Sequence, residues 1–205
     1  MSFIFILTFL LLLSFVFKSP WFKGKFGEFL VSLLFKLFLP KDKYTVLHNI
    51  TLPTEDGTTQ IDHIVVSPYG LFVVETKNMK GWIFGGEYQN IWTQKLFKVT
   101  NKFQNPLRQN YKHTQTLGTL LGLETSLIYS VVVFIGESTF KTPMPLNVTD
   151  ARGCVDYIKS KTTSVLSTTQ VREICSSINR GALRKGFTTD RMHIKHVQEI
   201  IRSKR

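Results

Sequence analysis

Two β-rich runs, residues 59–67 (TQIDHIVVS) and 70–78 (GLFVVETKN), stand on either side of Pro68-Tyr69. Both are rich in Val, Ile, Phe and Thr, the residues that suit a pleated, half-buried surface. A proline followed shortly by Gly70 is turn chemistry, so the two runs are expected to form a hairpin. With Pro68 and Tyr69 as its tip, Val66 faces Leu71, Ile64 faces Val73, Asp62 faces Glu75 and Gln60 faces Lys77. Strand alternation then places all of these side chains on one face. Opposed residues have Cβ atoms about 5 Å apart, and like charges in that position destabilise a sheet. Asp62 and Glu75 therefore call for a cation. Lys77 is one; a divalent ion is better, because carboxylate oxygens at close range suit Mg²⁺ or Mn²⁺. The other reading of Glu75-Thr76-Lys77 is a solvated strand end with an ion pair. Register decides between them, since a slip of one residue sends Asp62 to the face opposite Glu75.

Upstream, residues 24–38 (GKFGEFLVSLLFKLF) read as an apolar helix whose only acid is Glu28. Such an acid either lies near the helix N-terminus, where the dipole favours it, or points at a site. Downstream, Asn105-Pro106 is a strong helix start, with Asn as cap and Pro at the first helical position. Leu107, Tyr111, Leu117 and Leu121 mark its apolar side. Gln109, Lys112, His113 and Thr116 fall on a neighbouring polar side at helical spacing.

Taken together, these stretches resemble the nuclease-related domain (NERD) family of the PD-(D/E)XK restriction-endonuclease-like superfamily. The matching residues are Gly24-Lys25-Phe26-Gly27-Glu28, Gly57-Thr58-Thr59-Gln60-Ile61-Asp62-His63, and Gly70-Leu71-Phe72-Val73-Val74-Glu75-Thr76-Lys77-Asn78. Gly81, Trp92 and Phe103-Gln104-Asn105-Pro106-Leu107-Arg108-Gln109-Asn110 complete the set. Ile61 stands where the superfamily name puts proline, which removes no ligand. The resemblance implies an α/β (α+β) fold with a restriction-endonuclease-like core: a helix, antiparallel hairpin strands, then a helix and a further strand. It also implies a metal-dependent nuclease site. Asp62 and Glu75 would be direct ligands of Mg²⁺ or Mn²⁺, and Glu28 a further or water-mediated ligand. Lys77 would position the attacking water and steady charge on the phosphate. Gln60 would contact the water or a ligand, unless it is an edge glutamine facing solvent. Gln109 would contact phosphate or the site, unless it belongs to a solvated helix face.

The formal net charge of +12, from 26 basic and 14 acidic residues, favours an anionic partner. Lys95, Lys98, Lys102, Arg108 and Lys112 interleave with Trp82, Trp92, Phe97 and Phe103. That pattern suits nucleic acid, DNA ahead of RNA, although the same aromatics could equally be core. A basic tail over residues 180–205 could meet nucleic acid or anionic lipid.

Residues 2–17 (SFIFILTFLLLLSFVF) are uncharged and followed by Lys18, Lys23 and Lys25. Sixteen helical residues rise about 24 Å against a hydrocarbon core of about 30 Å, with Trp21 and Phe22 to extend them. The expectation is an N-terminal transmembrane helix, N-out and C-in, with the domain in the cytoplasm; a buried core helix is the alternative. No basic residue precedes the run and no small-residue cleavage site follows it, against a signal peptide. Cys154 and Cys175 look like packing residues of a reducing compartment.

Residues 127–135 read as a buried strand and 146–148 as another. Ser167 and Gln170 make a capping box before a helix that ends at Gly181, and 192–201 read as a last helix. His193 and His196 lack the partners of a zinc site. The expected organisation is an anchor over 1–19, a nuclease-related core over 20–140 and a strand and helical extension with the basic tail over 141–205. The functional expectation is a membrane-anchored, metal-dependent nuclease acting on DNA or RNA. Its rivals are a non-cleaving nucleic-acid-binding module of the same fold and a membrane-associated scaffold.

Overall fold

The computed structural model describes residues 5–8, 19–55 and 57–183. Helix α1 (Pro20–Phe38) starts ahead of the expected residue 24, because Ser19 accepts a hydrogen bond from the Phe22 amide and Pro20 occupies the first turn. Proline costs nothing there, where the amide would have no partner anyway. Strands β1 (Thr45–Thr54), β2 (Gly57–Ser67) and β3 (Gly70–Asn78) follow as an antiparallel meander. Helix α2 (Pro106–Leu121) and a 3₁₀ turn (Thr125–Leu127) then lead to β7 (Ile128–Ile135), which joins β3 in parallel. Strand β9 (Val148–Asp150) closes the sheet in the order β1-β2-β3-β7-β9. Helix, antiparallel strands, helix and strand recur in the order expected of a restriction-endonuclease-like core.

Both faces of this sheet are covered, which is why β3 and β7 are apolar nearly throughout. On one side α1 and α3 (Ala151–Lys159) pack Val31, Phe35, Cys154 and Ile158 against Phe72, Val74, Val131 and Val133. On the other, α2 and α4 (Thr168–Gly181) pack Leu117, Ile174 and Ile178 against Ile64, Val66, Leu71 and Val73. The capping box expected at Ser167 and Gln170 opens α4. Cys154 and Cys175 are free thiols, and burial pushes the Cys154 thiol up to about 12.

A second, four-stranded sheet was not foreseen from the sequence. Its order is β6-β5-β4-β8, with β4 (Gly81–Phe84), β5 (Ile91–Leu96), β6 (Val99–Gln104) and β8 (Ser138–Phe140). Strands β4 and β8 continue β3 and β7 past a shared bend, where the Met79 amide donates to Ile135 O and the Gly81 amide to Glu137 O. Gly136 (φ 103) belongs to this bend, and a Cβ there would stand 2.7 Å from Met79 O. Only glycine combines that conformation with so close an approach. The sheet divides the aromatics that the sequence left undivided. Trp92 is fully buried and stacks on Phe134, with Phe103 packed beside it, whereas Trp82 and Phe97 are exposed.

The transmembrane expectation is not upheld. Among the described residues no helix is long and apolar enough to cross a membrane. Helix α1 carries Lys23, Lys25, Glu28 and Lys36, and commits Gly27, Val31 and Phe35 to the core. Of the run 2–17, only residues 5–8 are described, as helix; the remainder lies outside the described residues. The N-out, C-in single-pass topology is withdrawn on this finding. The helix expected at 192–201, with His193 and His196, and all but the start of the basic tail also lie outside the described residues.

Candidate active site

The hairpin register decides whether the carboxylates meet. Strands β2 and β3 pair Ser67 with Gly70, Val66 with Leu71, Ile64 with Val73 and His63 with Val74, the register expected. The tip solves the problem of Pro68 with a side chain: Ser67 Oγ accepts from the Tyr69 amide at 3.2 Å and donates to Gly70 O at 3.0 Å. Pairing stops one step short of Asp62 and Glu75. There Asp62 Oδ2 accepts from the Thr76 amide at 2.8 Å, so a carboxylate takes the place of a ladder carbonyl.

Strand alternation also breaks at this point. Ile64 and Ile61 lie in the same core cluster, although strict alternation would put them on opposite faces. Asn49 of β1 stands beside the break with φ 53. The break turns Gln60 away from Lys77, and its Nε2 donates to Asn49 Oδ1 instead. The expectation that all the paired residues share one face therefore holds from Val66 to Ile64 and fails at Gln60. Asp62 and Glu75 stay together at the point where the two strands separate.

Glu75 is 3% exposed. Its Oε1 accepts from Lys77 Nζ at 2.8 Å, and Lys77 Nζ also donates to Gln109 Oε1 of α2 at 3.0 Å. His113, one turn further along α2, places Nε2 3.4 Å from Glu75 Oε2 while its Nδ1 meets Thr59 Oγ1 at 2.8 Å. His113 Nε2 and Glu75 Oε2 are both buried and face each other in an ion-pair contact that falls short of hydrogen-bond geometry. Burial by itself would push the Glu75 carboxyl up, but Lys77 and His113 hold it down at about 2. Asp62 goes the other way. Burial, then the charges of Glu75 and Glu28, raise its carboxyl well above the ordinary range against the opposing Thr76 amide and Lys77.

Glu28 is brought within electrostatic reach by α1, with its own Oε2 paired to Lys25 Nζ at 2.9 Å. Arg108 donates to Asn90 Oδ1, and Lys112 lines a groove with Pro53, Glu55 and Thr116. Asp62, Glu75, Lys77, Glu28 and Gln109 thus form one neighbourhood, while Gln60 and Arg108 are engaged with Asn49 and Asn90.

The matched family model spans residues 23–135, more than half of the chain, and is described as a nuclease-related domain. The chain belongs to that family. A Bacillus anthracis protein described as uncharacterized is 39% identical over 189 residues, covering 88% of this chain and 85% of the relative.

This nuclease-related domain uses polar residues of α2 that the sequence reading placed elsewhere. The buried side of α2 carries Asn110, His113, Thr114 and Leu117, whereas Tyr111, expected on the apolar side, is 64% exposed. The signal was present in the spacing: 110, 113, 114 and 117 trace one helical stripe. Its polar composition disguised it. Asn110 Nδ2 donates to Val73 O at 2.8 Å, Ser130 Oγ at 2.9 Å and Val131 O at 3.1 Å, tying α2 across β3 and β7 beside Glu75.

A divalent cation fits what these residues lack. Glu75 Oε2 is a buried acceptor met only by His113 Nε2 at 3.4 Å, and Asp62 is raised chiefly by burial and by neighbouring negative charge. Among the described residues no group of three or more His, Cys, Asp or Glu is gathered that could hold a metal ion, so Glu28 does not join Asp62 and Glu75 in one ligand group. Mg²⁺ typically needs only one or two carboxylates, taking its other oxygens from water and substrate phosphate.

The raised Asp62 carboxyl carries a stability consequence. The unfolded chain releases this proton near 3.8 whereas the folded chain retains it to higher pH, so folding loses stability as pH rises from there through the raised value. Asp62→Asn keeps an oxygen for the Thr76 amide without the charge. It is expected to raise the melting temperature of the metal-free protein at neutral pH and to diminish any rise brought by Mg²⁺ or Mn²⁺. Thermal unfolding with chelator and with each ion checks both. A lower melting temperature in chelator would refute the charge argument.

Proposed function

We propose that this nuclease-related domain hydrolyses phosphodiester bonds, those of DNA first and of RNA second, with Mg²⁺ or Mn²⁺ held by Asp62 and Glu75. The observation that carries the reading is Glu75: a buried carboxylate with one oxygen on Lys77 and the other facing only His113 Nε2 at 3.4 Å, beside a second carboxylate that its charge disfavours. Two acids crowded into one buried place cost stability unless a cation joins them. The arrangement resembles a binding site kept at the expense of the apo fold.

The bound ion would lower the pKa of a water and offset charge on the phosphate. Asp62 is fixed by the Thr76 amide, so its free oxygen is oriented before any ligand arrives. Lys77 is held from two sides, by Glu75 and Gln109, and needs little rearrangement to meet a phosphate oxygen or the attacking water. Glu28 supplies a further carboxylate charge from α1 and would reach the ion through water.

The test is incubation of the purified protein with labelled single- and double-stranded DNA and RNA, in Mg²⁺, in Mn²⁺ and in chelator. Cleavage products that require the metal are expected, with DNA cut faster than RNA. Tight, salt-sensitive binding with no product under either ion would replace this reading by a non-cleaving binding module. Absence of both binding and cleavage would remove nucleic acid as the partner.

A further inference from the structure

The second sheet has a face that the candidate active site does not use. Its inner side sends Ile83 and Trp92 into the core, with Phe103 and Phe140 packed against them. The register assigns the alternate residues to the outer side: Trp82 pairs with Lys95, and Thr93 pairs with both Phe84 and Lys102. Trp82 is 48% exposed. The Lys141 ammonium lies 4.8 Å from the centroid of its ring and the Lys95 ammonium 5.9 Å. An indole face attracts cations, so Trp82 gathers two like charges that would otherwise spread apart.

No Asp or Glu occurs in β4, β5, β6 or β8. Lys95, Lys102 and Lys141 therefore share a face without a carboxylate in its strands to neutralise them. The complement of such a face is a polyanion with regularly spaced charge. Chain continuity ties it to the site: β4 follows directly from the strand that bears Lys77, and β6 runs into the helix that bears Gln109.

We propose that this outer face, Trp82 with Lys95, Lys102 and Lys141, binds the phosphate backbone of the nucleic-acid strand whose phosphodiester reaches Asp62, Glu75 and Lys77. The inference rests on the cleavage reading for what happens to the strand, and not for the binding itself. Lys95, Lys102 and Lys141 each neutralise a phosphate. Trp82 acts as a positioning residue that holds two of the ammonium groups over its ring.

The test compares the wild-type protein with the Lys95→Gln/Lys141→Gln double variant and with Trp82→Ala, after circular dichroism confirms that each is folded. Binding of a labelled single-stranded DNA oligonucleotide and of its duplex is followed across a salt series in chelator. Hydrolysis of bis(p-nitrophenyl) phosphate, too small to reach the sheet, is followed in Mn²⁺. The double variant is expected to bind about tenfold more weakly at low salt, with a salt slope shallower by about 1.4 to 1.8, the loss of two phosphate contacts. Trp82→Ala should weaken binding less and leave the slope near wild type. Unchanged hydrolysis of the small ester in the double variant would separate the surface from the chemistry. Wild-type affinity and slope in the double variant would overturn the proposal while leaving the cleavage reading intact. Lysine-dependent binding by a protein that hydrolyses neither the small ester nor, with Mn²⁺ added, the oligonucleotide would uphold it and sink the cleavage reading. Displacement of the oligonucleotide by an equal charge of polyglutamate would overturn it in favour of an acidic protein partner.

Discussion

Lys77→Ala is expected to reduce metal-dependent cleavage of DNA by about 10²- to 10⁴-fold, the range for losing a positioned proton-handling or charge-stabilising group. The reason lies in how Lys77 is held. Its ammonium is shared between Glu75 Oε1 and Gln109 Oε1, so removal takes away a cation aimed from two sides and leaves Glu75 buried beside Asp62 without its nearest counter-charge. Binding of the strand should fall far less than the rate, because other basic groups remain to meet the backbone. Single-turnover cleavage with protein in excess separates the two quantities. Gln109→Leu should lie between wild type and Lys77→Ala, since it removes the hold on the ammonium but not the ammonium itself. A Lys77→Ala protein that cleaves at the wild-type rate would exclude Lys77 from the chemistry.

Asn110→Asp is expected to cost about 3–5 kcal/mol of stability, the range for a buried charge left without a partner. The substitution changes almost no volume. It exchanges an amide that donates to Val73 O, Ser130 Oγ and Val131 O for a carboxylate that faces two carbonyl oxygens. Asn110→Ala, which removes the donor without adding charge, should cost less, about 1–3 kcal/mol for the unmade hydrogen bonds. Urea unfolding monitored by circular dichroism gives both values. Equal stability of Asn110→Asp and wild type would show that α2 is not fastened to the sheet through this residue. Because α2 also delivers Gln109 and His113 to Glu75, the same lesion should loosen the site.

Much of the fold could be read along the chain because its signals are local. The hairpin tip at Pro68-Tyr69, the helix start at Asn105-Pro106 and the capping box at Ser167 and Gln170 each depend on residues a few positions apart. The register followed from the hairpin tip, and with it the adjacency of Asp62 and Glu75. The second sheet escaped notice because β4 is four residues long and β8 three, too short for any period to declare itself. The buried stripe of α2 escaped for a different reason. Asn110, His113 and Thr114 are polar, and only the hydrogen bonds of Asn110 and His113 to β2, β3 and β7, and of Thr114 to Tyr111 O within the helix, make interior positions tolerable. The apolar run near the N-terminus shows the opposite hazard: composition suggested a membrane span that no described helix supplies.

By itself the sequence determined the order of the core elements, the hairpin register and the identity of the carboxylates and lysine at its open end. These rest on turn chemistry and alternation, which act between neighbours. Tertiary structure alone decided that alternation breaks at Asp62, that Gln60 turns to Asn49, and that His113 and Gln109 close on Glu75 and Lys77. Those outcomes depend on where α2 lies against the sheet, and no local rule carries the position of a helix to a strand far from it in the chain.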